Sequence, residues 1–431
     1  MPYVLGIDIG STNTAAAVAR RDGRAWTRPE AVPLNAGSPL VPSVLHLAED
    51  GALHIGAPAT DDGSRTTRDF VRRIGDDVPL LLGGEACAPQ TLTAELAAWV
   101  VEQVHAAEGG PAEAVVLSHP AGWRPYRREL LRRALTDLGL RAVTLLPRTV
   151  TVAESHAARG FAGTTAAVYA LGGASFEAAL VRRTARGTYE SFGTPQGLDP
   201  VGGADFDELL ASHVRTVLSR ELAAIGRRDH HAALRDLPVE CDRVKRALTV
   251  EPAADVVLNM PTGPARIPVT RAQFEAMIRP TVQATVELLL RTVHGAGLAP
   301  TQLDGVLLAG GSTRIPLVAE LIGTALGVPV EVEPDAQLTA ATGAASAACQ
   351  VVSPRPRPQS QSQSQSQSPA PVRDPAPVGG GVRAALPALR RPRNHATDPG
   401  DPPPRPPVRI LPLDLPKASR LALTLNRGRE G

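Results

Sequence analysis

"IDIGSTNTAAAV" (residues 7–18) and "YALGGASFEAAL" (169–180) match when laid over each other: apolar strand, glycine turn, hydroxyl, second apolar strand. The same strand–turn–strand unit, met twice about 160 residues apart, reads as an internal duplication. In the first copy Asp8 ends the strand and Gly10 permits a tight turn. Ser11, Thr12 and Asn13 then offer hydroxyl, amide and backbone N–H donors. Phosphate oxygens need such close, unblocked donors, and a metal ion or its water shell needs the acid. In the second copy Gly172, Gly173 and Ser175 repeat the turn, but Ala170 stands where the acid belongs. Taken alone, either turn is more often an ordinary hairpin.

Outward from these units the pattern over 1–352 alternates apolar strands with helical periods. Helices are expected over 91–109, 124–139, 205–224 and 270–295, the last with Thr270 and Glu275 in its first turns. Two similar halves of this kind predict a bilobal α/β fold with a cleft between lobes, lobe I over about 1–165 and lobe II over about 166–352. Composition shifts near residue 353, where "SPRPRPQSQSQSQSQSPAPVRDPAPVGGG" begins. Residues 353–408 bury too little apolar surface to offset chain entropy and are expected to be disordered. Leucine returns over 409–431, either as stray residues of a disordered end or as a short docking segment.

The 431 residues carry a net charge of only +2, which argues neither for nucleic acid nor for an acidic surface as partner. Cys87, Cys241 and Cys349 are far apart and form no CxxC pair, so neither a disulfide framework nor structural zinc is expected. His230 and His231 read as solvated loop residues. The chain enters a strand at once and holds no run of about 18 apolar residues, so no signal peptide or membrane span is expected, and the default is cytoplasmic.

Further motifs carry chemistry. "VLLAGGSTRIPLVAELIGTALG" (306–327) runs a buried strand through Gly310, Gly311 and Ser312 into a helix, whose N-terminus favours negative charge. "ECDRVKRALT" (240–249) sets Asp242, Lys245, Arg246 and Thr249 at i, i+3, i+4 and i+7, one face of a helix. Such a face can bond a ribose and stack on a base, or can be a solvated, salt-bridged surface. Gly202 and Gly203 in "DPVGGADFDELL" (199–210) precede a helix start.

Each motif is modest alone, but their order resembles the nucleotide-binding domain of DnaK-type heat-shock 70 chaperones, a domain of the actin-like ATPase fold. The likeness covers roughly residues 3–350, and "GIDIGSTNT" followed by "GGSTRIP" makes it specific. It implies ATP or ADP as ligand. Ser11, Thr12, Asn13, Gly172, Gly173 and Ser175 would face the phosphates, and Gly202 and Gly203 would flank the nucleotide. Asp242, Lys245, Arg246 and Thr249 would grip adenosine together with Gly310, Gly311, Ser312, Arg314 and Asp335. Asp8 alone of the usual catalytic set remains recognisable; it would hold no metal directly and reach magnesium through water.

Three departures fall on the hydrolytic chemistry. Val71 stands where the family's "F-K-R-R-x-G-D" stretch has lysine, Arg148 where its "N-E-P" has glutamate, and Ala170 where its second loop has aspartate. Losing a cation and two metal-ordering acids removes several kcal/mol of transition-state stabilisation, on the order of 10³-fold or more in rate. Magnesium binding is expected to be weakened. The tail also occupies the place of the family's peptide-binding domain, so no peptide clamp is expected, and an unidentified protein partner would meet the tail. The expectation is a nucleotide-binding scaffold with a weak or inactive ATPase. The alternatives are an active ATPase with rewired residues, a sugar or acid kinase of the same fold, and an interaction surface without nucleotide.

Overall fold

The computed structural model describes residues 1–56 and 63–352. The expectations for 353–408 and 409–431 fall outside the described residues. Strands β1 (Tyr3–Ile9) and β2 (Asn13–Asp22) form the first hairpin, antiparallel with Asp8 opposite Ala15. After helix α1 (Pro89–Glu108), β3 (Val115–His119) pairs parallel with β1. Helix α2 (Pro125–Asp137) leads to β4 (Val143–Pro147), which pairs parallel with β3. The sheet order is β4-β3-β1-β2, extended by short strands beyond β2.

Helix α3 (Arg148–Ala158) leads to β5 (Thr165–Leu171), β6 (Phe176–Arg183) and β7 (Tyr189–Leu198), an antiparallel meander. Helices α4 (Gly203–Val217), α5 (Ser219–Ala224), α6 (Arg227–Arg235) and α7 (Leu237–Ala247) follow. Strands β8 (Ala253–Met260) and β9 (Gly263–Thr270) make a separate hairpin before α8 (Arg271–Gly295). Strand β10 (Gly305–Ala309) then pairs parallel with β5, and after α9 (Pro316–Leu326) the short β11 (Val330–Glu331) pairs with β10. The order β7-β6-β5-β10-β11 repeats that of the first sheet. Each sheet carries its own apolar core. Two sheets of one topology facing a common cleft make the bilobal actin-like ATPase fold.

The crossover helices tie the halves together. Helix α3 follows the first sheet, yet Val152 and Ala153 pack with Ala166, Val168 and Leu307 of the second. Helix α10 (Thr339–Val352) follows the second sheet, yet Ala341, Ala344, Ala345 and Ala348 pack against β1, β2 and β3 of the first. The two helices cross at Gly343, where a Cβ would run into the Thr151 carbonyl. Gly6 gives the same clearance between β1 and the backbone of Ala345.

Several local expectations need correction. Residues 205–224 do not form one helix, because the chain breaks at Leu218 between α4 and α5. Thr270 caps α8 as expected, but its partner is Gln273: Gln273 N–H donates to the Thr270 hydroxyl and Gln273 Oε1 accepts from Thr270 N–H. His230 and His231 sit in α6, whose polar sequence reflects solvent on most sides while Ala233 faces the core. Thr249 lies beyond the end of α7, where its hydroxyl donates to the Arg246 carbonyl at 2.7 Å.

Candidate functional site

Both glycine turns close in the same way. Gly10 N–H donates to the Asn13 carbonyl at 3.0 Å, and Gly172 N–H donates to the Ser175 carbonyl at 2.9 Å. The turns face each other so closely that a Cβ on Gly173 would strike the Thr12 side chain. Between and beside them lie two cavities of about 310 and 110 Å³. They share Thr12, Asn13, Leu40, Gly173, Gly311 and Gln337, so one continuous wall lines both.

The larger cavity gathers the adenosine candidates. Asp242, Lys245, Arg246, Thr249, Gly311, Ser312 and Arg314 line it, with Ala204 and Asp207 from α4. Its charges are internally matched: Lys245 Nζ donates to Asp207 Oδ2 at 2.6 Å and to the Gly203 carbonyl at 3.0 Å, and lies 3.2 Å from Asp242 Oδ1. Arg246 pairs with Asp242 at 2.8 Å. Lys245 therefore acts first as a strut between α4 and α7. Burial pushes the Asp207 carboxyl up to about 6 against the pull of Lys245, and its Oδ1 is buried without a hydrogen-bond partner.

Behind this wall the second loop is clamped. Gly203 and Ala204, opening α4, donate their N–H groups to the carbonyls of Gly172 and Gly173 at 3.0 and 2.7 Å. The Ser312 hydroxyl donates to the same Gly172 carbonyl at 2.8 Å. Gly202 and Gly203 are thus buried supports that let the loop lie against α4, and neither lines a cavity. Gly310, at φ +91°, turns the chain where a Cβ would meet the Leu171 carbonyl.

The smaller cavity holds Asp8, Ser11, Arg148, Ala170, Gly172, Ser175, Glu177 and Gly310. Arg148, the first residue of α3, donates Nε to Asp8 Oδ1 at 3.0 Å. Its Nη1 lies 3.8 Å from Glu177 Oε2. Ser118 also donates to Asp8 Oδ1, and the N–H of Ala121 donates to Glu177 Oε1. Burial disfavours the guanidinium's charge, but Asp8 and Glu177 outweigh it and hold its pKa above the ordinary value. Burial pushes the Glu177 carboxyl up, partly countered by Arg148.

Glu177 was not singled out from sequence. It sits directly opposite Ala170 across the β5–β6 ladder, as Ala15 sits opposite Asp8 in the first unit. Facing residues on paired strands place their Cβ atoms roughly 5 Å apart. The second unit therefore still carries a carboxylate, on the strand that faces Ala170.

Besides Gly202 and Gly203, two more predicted positions lie apart from the cavities. Val71 is buried in the first core with Phe70 and Ile74, leaving its neighbour Arg72 to reach the second loop through a 3.2 Å bond from Nη1 to the Ala174 carbonyl. Asp335 is exposed and lines neither cavity; its carbonyl accepts from Leu338 N–H at 2.7 Å, and Gln337 faces the site instead. The tight turn before α10 rotates the carboxylate away. Among the described residues no group of three or more His, Cys, Asp or Glu is placed to hold a metal ion, and no helix is long and apolar enough to cross a membrane.

Paired phosphate-type turns, a polar pocket and a strand-to-helix glycine turn around one cleft define a nucleotide-cleft protein of the actin-like class. A family model described as "Hsp70 protein" matches residues 71–361, more than half of the chain. The chain belongs to the Hsp70 family. It is 29% identical over 369 residues to "Chaperone protein HscA homolog" of Burkholderia mallei (strain SAVP1), covering 79% of this chain and 57% of that protein. It is 30% identical over 367 residues to "Chaperone protein HscA" of Pectobacterium carotovorum subsp. carotovorum (strain PC1), with the same coverage. The chain thus spans 57% of the length of these curated relatives.

Proposed function

We propose that the cleft binds adenine nucleotide and hydrolyses it slowly or not at all, so that the protein works as a nucleotide-dependent scaffold or chaperone-like module. The larger cavity, at about 310 Å³, lies within the range of small-molecule pockets and takes the adenosine. The smaller takes the phosphates, which find hydroxyls of Ser11, Thr12 and Ser175 and amides of two glycine turns. Family membership and two relatives named as chaperones support the chaperone-like reading. The observation that carries reduced hydrolysis is Arg148, whose guanidinium is bonded to Asp8 on the cavity floor. A carboxylate so engaged is poorly placed to order an attacking water or a metal's water shell.

Glu177 favours a second reading, an active ATPase with its acid relocated across the β5–β6 hairpin. Titration calorimetry with ATP and ADP, followed by single-turnover hydrolysis, separates the two. Binding of both nucleotides with turnover on the order of 10³-fold below an ordinary family ATPase is expected. Turnover at ordinary rates would leave the active reading standing, and no binding at all would remove both.

A further inference from the structure

We infer that this cleft binds its nucleotide without a divalent cation, the Arg148 guanidinium standing as a permanent counter-ion where the fold family uses magnesium. The inference rests on the nucleotide-binding reading above.

The donors on the cavity floor do not fit a magnesium ion. Magnesium demands near-octahedral oxygen coordination at about 2.1 Å and is usually held through one or two carboxylates together with substrate phosphates. Here Asp8 Oδ1 is occupied twice, by Ser118 Oγ and by Arg148 Nε. Ala170 contributes a methyl group to the same floor. A dication approaching Asp8 also meets a positive charge already 3.0 Å from that carboxylate.

The same arrangement sets a guanidinium in the lining of the cavity that the phosphates would enter. Arg148 is buried to 14% side-chain exposure between Asp8 and Glu177, and both carboxylates fix its orientation. A guanidinium stays charged at every working pH and presents several N–H donors in a planar fork. Two of its nitrogens are directed at Asp8 and Glu177, and the residue lines the cavity together with both glycine turns. Charge-assisted bonds from Arg to phosphate oxygen are among the stronger ones.

The test is calorimetry with ADP on the full chain, in excess magnesium and in chelator, for the wild type, Arg148→Gln and Arg148→Lys, with thermal unfolding as the folding control. For the wild type the Kd is expected to agree within about threefold between the two conditions, and Arg148→Gln to lose about tenfold or more in chelator. Magnesium should restore part of that loss, because Asp8 is then free to hold the ion's water shell. Arg148→Lys, which keeps the charge, should stay near the wild type in chelator. Wild-type binding that tightens tenfold or more on adding magnesium would overturn the inference while leaving the nucleotide reading intact. Arg148→Gln binding as well as the wild type in chelator would overturn it too. Absence of ADP binding in both conditions would remove the nucleotide reading itself. If Arg148→Gln fails to fold, the wild-type comparison and Arg148→Lys decide.

Discussion

Ala170 and Glu177 form one cross-strand pair, so the second unit still presents an acid, from the strand opposite Ala170. In the sequence the loss at Ala170 is plain, because the duplicated turns align; the register that places Glu177 opposite it is a tertiary fact. Val71 makes a related point. An apolar residue replacing a lysine can turn inward, and here it joins the first core while Arg72 takes the outward direction. A residue-scale prediction concerns His119, which is buried, stacks on Trp123 with ring centres 5.7 Å apart, and leaves Nε2 without a partner. Burial pushes its pKa down to about 4 from 6.5, with Arg128 and Arg148 adding to the effect. Between those values the unfolded chain binds the proton and the folded one does not, so stability is lost as pH falls from 6.5 towards 4, by up to about 3 kcal/mol. Denaturant midpoints across this window should fall less steeply for His119→Gln than for the wild type; identical slopes would remove His119 from the account.

Among the secondary elements, strands and glycine turns were legible because apolar runs ending in Gly-Gly or Gly-Ser have few other readings. The crossover helices were not. Helix α3 begins "RTVTV", a β-branched run suggesting a strand, and α10 is rich in Ala with Gly343 inside it. Both are helical because they are packed between two sheets and against each other, a context that overrides local preference. That packing also explains why glycine is tolerated mid-helix. Gly343→Ala should overlap the Thr151 carbonyl and cost about 2–3 kcal/mol or more, measured as a drop in unfolding free energy. A variant of unchanged stability would mean that the helices do not approach so closely. Thr249 and Asp335 show the limit of motif reading: each lies in or beside the expected stretch, but a helix end moves one out of the helical face and a turn points the other outward.

For the whole molecule, the cleft is lined from both sheets, so one ligand engages both halves. Thr12 and Asn13 come from the first sheet's hairpin, while Gly173, Asp207, Lys245 and Ser312 come from the second half. ADP at about 100 times its Kd should raise the unfolding free energy by about 2.7 kcal/mol. Calorimetric melting should shift as a single transition; stabilisation confined to one half of a split transition would contradict a ligand bound by both. The Gly343 crossing links the two halves at the level of the backbone. A side chain at position 343 would meet the Thr151 carbonyl, so α3 and α10 keep their spacing only while that position stays bare. A side chain added at this crossing therefore acts on both sheets at once, since α3 packs on the second and α10 on the first.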